Sequence, residues 1–170
     1  MELTPVQSRI DRLAVTLATG LHISYIPFRL MGPAKWTGAG VLGTLEGFAL
    51  LPLVPQQAAA AGATLAAAAV VASLICGRAQ TVLGRKDDPR IVLDEIVGAW
   101  GAMAFLPRTP KILLSQFLLF RLFDSAKPPP LKALERLPGG WGVVADDLGA
   151  ALAANLLVRL LFPIWPWLLA

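Results

Sequence analysis

The sequence predicts an all-α, multi-helical integral membrane protein with transmembrane helices. Three observations lead there. Hydrophobic residues make up 56% of the chain against 15% charged, and mean hydropathy is +0.64, outside the range of ordinary soluble domains. Apolar runs recur at lengths near a membrane span. No stretch alternates polar and apolar residues as a half-buried strand would. The 170 residues contain no Ser/Gly-rich or highly charged linker and no repeat, so the chain reads as one domain, 1–170.

In order, "MELTPVQSRIDRLAVTLATG" is broken by Arg9, Asp11 and Arg12 and ends without a cleavage pattern, so it is not read as a signal peptide. "GAGVLGTLEGFALLPLVP" is apolar apart from Glu46, and its Gly40, Gly43 and Gly47 permit close approach of a neighbouring helix. "QQAAAAGATLAAAAVVASLIC" is the clearest span, since about 20 uncharged residues cross the hydrocarbon as a helix. These two runs predict a membrane hairpin over about 38–77. Its connection is uncharged, whereas Arg78, Arg85 and Lys86 follow the second arm and place that side in the cytoplasm. "IVLDEIVGAWGAMAFLP" and "KILLSQFLLFRLF" are apolar but short, suited to dipping into the bilayer or packing against it. A C-terminal membrane helix is expected over about 148–168, interrupted by Arg159 and anchored at the interface by Trp165 and Trp167.

The net charge of +4 does not indicate nucleic acid, because the basic residues lie between apolar segments and no aromatic stacking motif accompanies them. The lipid bilayer is the expected partner. The lone Cys76, between Ile75 and Gly77, allows neither an internal disulfide nor a cysteine zinc cluster, and it stands too close to Arg78 to frame a thiolate phosphate loop. A phosphatase working through two histidines is excluded as well, because His22 is alone.

Most of the 11 acidic residues fall in three short stretches. In "KDDPRIVLDEIVG", Asp88 followed by Pro89 predicts a helix start, with Asp94 and Glu95 in its second turn. Asp94 then either pairs with Arg90 or belongs to a site. In "FRLFDSAKPPP", Arg121, Asp124 and Lys127 share one helix face, either as a salt-bridge ladder or as two cations flanking a site carboxylate. Pro128 to Pro130 end that helix and leave Lys127 at its C-terminus. In "GGWGVVADDLGA", Gly139, Gly140 and Gly142 precede Asp146 and Asp147, as a close approach to a ligand or as a helix start with acids favoured by its dipole. Carboxylates without histidine or cysteine partners suit a hard cation such as Mg2+, and nearby Arg and Lys suit phosphate.

The ordered set "LDE…FRxxDxxKPxP…GGxGxxxDD", here Asp94-Glu95, then Phe120-Arg121, Asp124, Lys127, Pro128 and Pro130, then Gly139 to Gly142 with Asp146-Asp147, resembles the phosphatidylglycerophosphatase A family over roughly 87–149. Upstream, where that family carries Pro-Gly-Thr and then a Gly-Ser or Gly-Thr pair, this chain has Ala39-Gly40-Val41 and Gly43-Thr44. The resemblance implies a multi-pass enzyme of the bacterial inner (cytoplasmic) membrane that uses Mg2+, with its helical active site facing the cytoplasm. Its expected reaction is hydrolysis of phosphatidylglycerophosphate to phosphatidylglycerol and phosphate in phospholipid biosynthesis. With that chemistry, residue types assign Asp94, Glu95, Asp146 and Asp147 to the metal and Arg121, Lys127, Gly140 and Gly142 to the phosphate. Asp94, Glu95, Asp124 and Asp147 form the catalytic set, Asp124 completing the metal site or orienting Arg121. The alternative is a non-enzymatic membrane scaffold whose buried acids form an ion path.

Overall fold

Glycine and proline punctuate the sequence, and the helices follow that punctuation. The computed structural model describes residues 9–31, 38–162 and 164. Its helices are α1 (Arg9–Ala18), α2 (Tyr25–Met31), α3 (Ala39–Leu50), α4 (Ala58–Leu83), α5 (Leu93–Ala102), α6 (Pro110–Ala126), α7 (Pro129–Lys132) and α8 (Gly140–Leu161), with single 3-10 turns at Leu51–Leu53 and Leu134–Arg136. No strand occurs among the described residues, as the sequence predicts.

Local chemistry sets the boundaries. The Gln57 side chain accepts a bond from Ala60 N at 2.6 Å to open α4, and Gly84, at φ 69°, closes it. Thr109 caps α6 through Ile112 N at 3.4 Å, ahead of Pro110. Lys127 ends α6 in the left-handed region at φ 40°, just before the prolines.

Helix α5 lies at the centre, packed on α8, α3 and α4, while α6 and α4 flank α8. Small residues let these axes approach closely. Gly43 abuts Val92, Gly47 abuts Ile96 and Ala99, and Gly140 lies against the Ser73 carbonyl of α4. A methyl group at Gly140 would collide with backbone, which cannot swing away as a side chain can. Gly140→Ala is therefore expected to cost more than about 2 kcal/mol, read by denaturant unfolding in detergent. Unchanged stability would contradict the α4–α8 contact.

Helix α4 is the one described helix long and apolar enough to cross a membrane, and only 22% of its apolar window is buried inside the protein. Its 26 residues span about 39 Å, enough for a hydrocarbon core of about 30 Å. The first arm of the expected hairpin is short: α3 has 12 residues, about 18 Å, because Pro52 and Pro55 interrupt the run. The expected C-terminal membrane helix also differs. It begins earlier, at Gly140, because Gly139 at φ 59° turns the chain there. It carries four polar or charged residues, Asp146, Asp147, Asn155 and Arg159, and does not qualify as a span by composition. Asn155 and Arg159 donate to the carbonyls of Ala102, Ala104 and Phe105 at 2.8–3.0 Å, clamping the end of α5. Trp165 and Trp167 lie outside the described residues. Multiple crossings thus do not follow from helix length, although Leu114, Leu118 and Leu122 on α6 and Leu152, Leu156 and Leu160 on α8 form exposed apolar stripes.

The helix start expected at Asp88-Pro89 is likewise corrected. Asp88 Oδ1 accepts from Arg90 N at 3.0 Å and its carboxylate holds the Arg90 guanidinium at 2.6–2.8 Å, so the side chain stabilises a turn in place of a helix cap. Arg90 also lies 5.9 Å from the Tyr25 ring centre and 5.3 Å from that of Phe28, binding the loop to α2. Helix α5 starts later, which moves Asp94 and Glu95 from its second turn into its first.

Candidate active site

The first turn of α5, the last turns of α6 and the second turn of α8 meet at a cavity of about 600 Å3, closed on one side by the start of α3 and on another by the loop holding Asp87 and Asp88. Sequence-distant acids come together here. Asp94, Glu95 and Asp147 present carboxylate oxygens within 4.8 Å of one another, and so do Asp124, Asp146 and Asp147. Asp147 belongs to both groups and is buried.

These acids are not mutually satisfied. Asp94 Oδ1, Glu95 Oε2 and Asp147 Oδ2 are buried with no hydrogen-bond donor among the described residues. Burial pushes the carboxyls of Asp94, Glu95 and Asp147 up, and Glu95 and Asp147 raise Asp94 further. Asp146 is pushed up to about 6 by burial, with Lys127 opposing. Such a cluster has a high electrostatic cost as bare carboxylates and is relieved by a proton or a cation. An all-oxygen donor set of this kind fits Mg2+, whose preference is for carboxylate and water ligands.

Two cations stand at the rim. Arg121 Nη1 lies 2.9 Å from Asp124 Oδ2 and 3.8 Å from Glu95 Oε1, and it donates to Thr44 Oγ1 at 3.4 Å. Lys127 does not continue that ladder. Its left-handed backbone turns the ammonium away from α6, so that it bonds Asp146 of α8 and, at 2.7 Å, Glu135 Oε1. Of the two alternatives for Asp94, pairing with Arg90 is not the one realised, since Asp88 takes that guanidinium.

Of the residues singled out in the sequence, Asp94, Glu95, Asp124, Asp146, Asp147, Arg121, Lys127 and Gly142 all line the cavity. Gly140 does not. It faces α4, and its lack of a side chain serves helix packing. Asp146 and Asp147 sit in the second turn of α8, beyond the reach of its N-terminal dipole. Two contributors, Thr44 and Glu135, carried no clear sequence signal, whereas Gly40 belongs to the close-packing glycines the sequence shows. Gly40 lets α3 lie directly on the Glu95 carboxylate and the Arg121 guanidinium, Thr44 accepts from Arg121, and Glu135 holds Lys127. Glu46 has Oε2 buried with no donor among the described residues, beside Gly20 and away from this cavity.

Comparison with known proteins bears on this geometry. Residues 16–162 match the family described as phosphatidylglycerophosphatase A. A protein of that name from Haemophilus influenzae is 31% identical over 159 residues, covering 91% of this chain and 94% of its own length. A putative phosphatidylinositol-3-phosphatase from Bacteroides thetaiotaomicron is 29% identical over 150 residues, 86% of this chain and 91% of the other. A phosphatidylglycerophosphatase A from Escherichia coli is 29% identical over 94 residues, 54% of this chain and 55% of its own. No solved structure matches significantly. A match across nearly the whole chain, on a fold that gathers the motif residues into one cavity, makes this protein a member of the phosphatidylglycerophosphatase A family of phosphoric monoester hydrolases.

Proposed function

We propose that this chain hydrolyses the terminal phosphate of phosphatidylglycerophosphate, releasing phosphatidylglycerol and inorganic phosphate, and serves phospholipid biosynthesis. The observation that carries the reading is the set of donorless, buried carboxylate oxygens beside Arg121 and Lys127 in an open cavity. Asp94, Glu95, Asp146 and Asp147 would hold Mg2+. When bound, the ion neutralises these acids, draws charge from phosphoryl oxygens and lowers the pKa of a water. The chain's own groups do the rest. Arg121, oriented by Asp124 and Thr44, presents N–H donors to phosphate oxygens, a geometry suited to a planar fork. Lys127 adds a second positive charge at the mouth. Gly142 borders the cavity close to Asp146, and Gly40 lets α3 close down on Glu95 and Arg121. Hydrolysis places a water oxygen on phosphorus and a proton on the departing glycerol oxygen.

We place the enzyme in the bacterial inner membrane as a multi-pass protein with this cavity facing the cytoplasm. Arg85 and Lys86 follow α4 directly before Asp87 and Asp88 of the cavity wall, in keeping with a cytoplasmic end for that span. The exposed leucines of α6 and α8 suit lipid contact. A scaffold with an ion path draws no support from this arrangement, since the acids converge on one cavity and do not line a span.

The Bacteroides relative favours a second lipid, phosphatidylinositol 3-phosphate, which also bears a phosphate monoester on a polyol. The test is phosphate release from both lipids and from phosphatidic acid in neutral micelles, with Mg2+ or with chelator. Release from phosphatidylglycerophosphate that requires Mg2+ is expected; turnover of the inositol lipid alone would change the substrate. Thermal unfolding gives a reading independent of turnover. Mg2+ at about 100 times its Kd should stabilise the protein by about 2.7 kcal/mol, while Na+ at equal ionic strength should not.

A further inference from the structure

A second cavity, of about 560 Å3, adjoins the first and is lined by Lys127, Pro129, Lys132, Ala133 and Arg136. Lys127 lines both. No acid lines this second cavity; Lys132 and Arg136 line it with Pro129 and Ala133, and Lys127, whose ammonium is held by Asp146 and Glu135, stands at its junction with the first. Glu135, the nearest carboxylate in sequence, turns toward Lys127 and the first cavity. Lys86 donates to the Glu135 carbonyl at 3.4 Å, bringing a further cation to the same turn. Lys132 and Arg136 are exposed, and none of the ion pairs among the described residues uses either. Within the fold, Lys132 adds a Coulombic pull on Glu135 that is weaker than that of Lys127.

We propose that this groove is a second phosphate subsite, which binds the phosphodiester of the lipid whose phosphate monoester occupies the first cavity. The inference rests on the reading of the first cavity as the hydrolytic site. Phosphatidylglycerophosphate carries its two phosphates on the terminal oxygens of one three-carbon glycerol, and a shared lysine between adjoining cavities matches two anions joined by a short bridge. A phosphodiester holds one negative charge at every pH of interest and is met by point cations such as Lys132 and by the Arg136 fork. Phosphatidic acid has a monoester but no diester. The groove therefore supplies what discriminates the two lipids: binding energy from a part of the substrate that does not react. A phosphoinositide monoester has the same pair of groups, so the groove selects a class of lipid, a monoester on a polyol that is itself a phosphodiester.

The test compares kcat/KM for phosphatidylglycerophosphate and phosphatidic acid in neutral micelles with Mg2+, for wild type, Lys132→Gln/Arg136→Gln, and the remote Lys111→Gln as a control for net charge. Wild type should prefer the diester-containing lipid, and the double variant should lose about 30-fold of that preference, with Lys111→Gln retaining it. Both side chains are exposed, so folding should survive, and unfolding in detergent confirms it. An unchanged preference in the folded double variant would overturn the subsite. So would an equal fall on both lipids that deepens when anionic lipid is added to the micelles, since the groove would then be a membrane-docking surface. Failure of wild type to release phosphate from either lipid would overturn the hydrolytic reading itself, a result distinct from loss of preference.

Discussion

Asp147→Asn is expected to lower Mg2+-dependent phosphate release by at least about 1000-fold, close to 4 kcal/mol in the barrier. Its position explains the size of the effect. Asp147 is the one residue common to both carboxylate groups, so its loss removes a ligand atom wherever the cation sits. The same substitution should make the metal-free protein more stable. Burial raises the Asp147 carboxyl, and Asp124, Glu95 and Asp146 raise it further, so its charge opposes folding when no cation is present. A gain of about 1 kcal/mol would raise Tm by about 2–4 °C in a chain of this size. Activity lost together with stability gained separates a site built for a ligand from a structural ion network, in which both would fall. Full turnover in Asp147→Asn would remove this residue from the site.

Arg121 gives the second large effect, with the opposite sign for stability. Arg121→Ala leaves Asp124 without its 2.9 Å partner and Glu95 without its nearest cation, in a cavity already crowded with acids. Stability should fall by about 3 kcal/mol and phosphate release by about 1000-fold. Arg121→Lys retains the charge but not the planar fork, and the guanidinium here reaches three groups from three helices. Most of the stability should return in the lysine variant while turnover remains about 100-fold down. Rates and unfolding midpoints measured on both variants check this; recovery of turnover in Arg121→Lys would reduce the residue to a simple counter-charge.

The parts of this site that were legible in sequence are those encoded locally. Lys127 ends α6 because three prolines follow it, and proline stops a helix wherever the rest of the chain lies. The glycines of α3 read as a close-packing face and behave as one, since only backbone meets Val92, Ile96 and Ala99 there. Long-range choices were not legible. Asp88 and Asp94 both lie within reach of Arg90 in sequence, and the pairing is decided by α2, whose Tyr25 and Phe28 rings hold the guanidinium on the Asp88 side. Gly140 and Gly142 look alike in the motif. Both pack against backbone, Gly140 on the Ser73 carbonyl and Gly142 on the Leu137 and Glu135 carbonyls, and of the two it is Gly142 that also borders the cavity. Glu135, eight residues past Lys127, becomes its partner only through the turn at Leu134–Arg136. Helix length supports a span in α4 alone for a related reason: hydropathy sees α3 and the segment after Gly139 as greasy, but prolines shorten the first and polar groups committed to carbonyls at the end of α5 interrupt the second.

The most direct test of the central claim is equilibrium binding of Mn2+, as a spectroscopic substitute for Mg2+, to the purified protein in detergent, followed by electron paramagnetic resonance. Saturable binding that Mg2+ displaces, and that Asp147→Asn weakens at least about tenfold, is the result this account predicts. Folded wild-type protein that binds no Mn2+, or binds it equally well without Asp147, would contradict it.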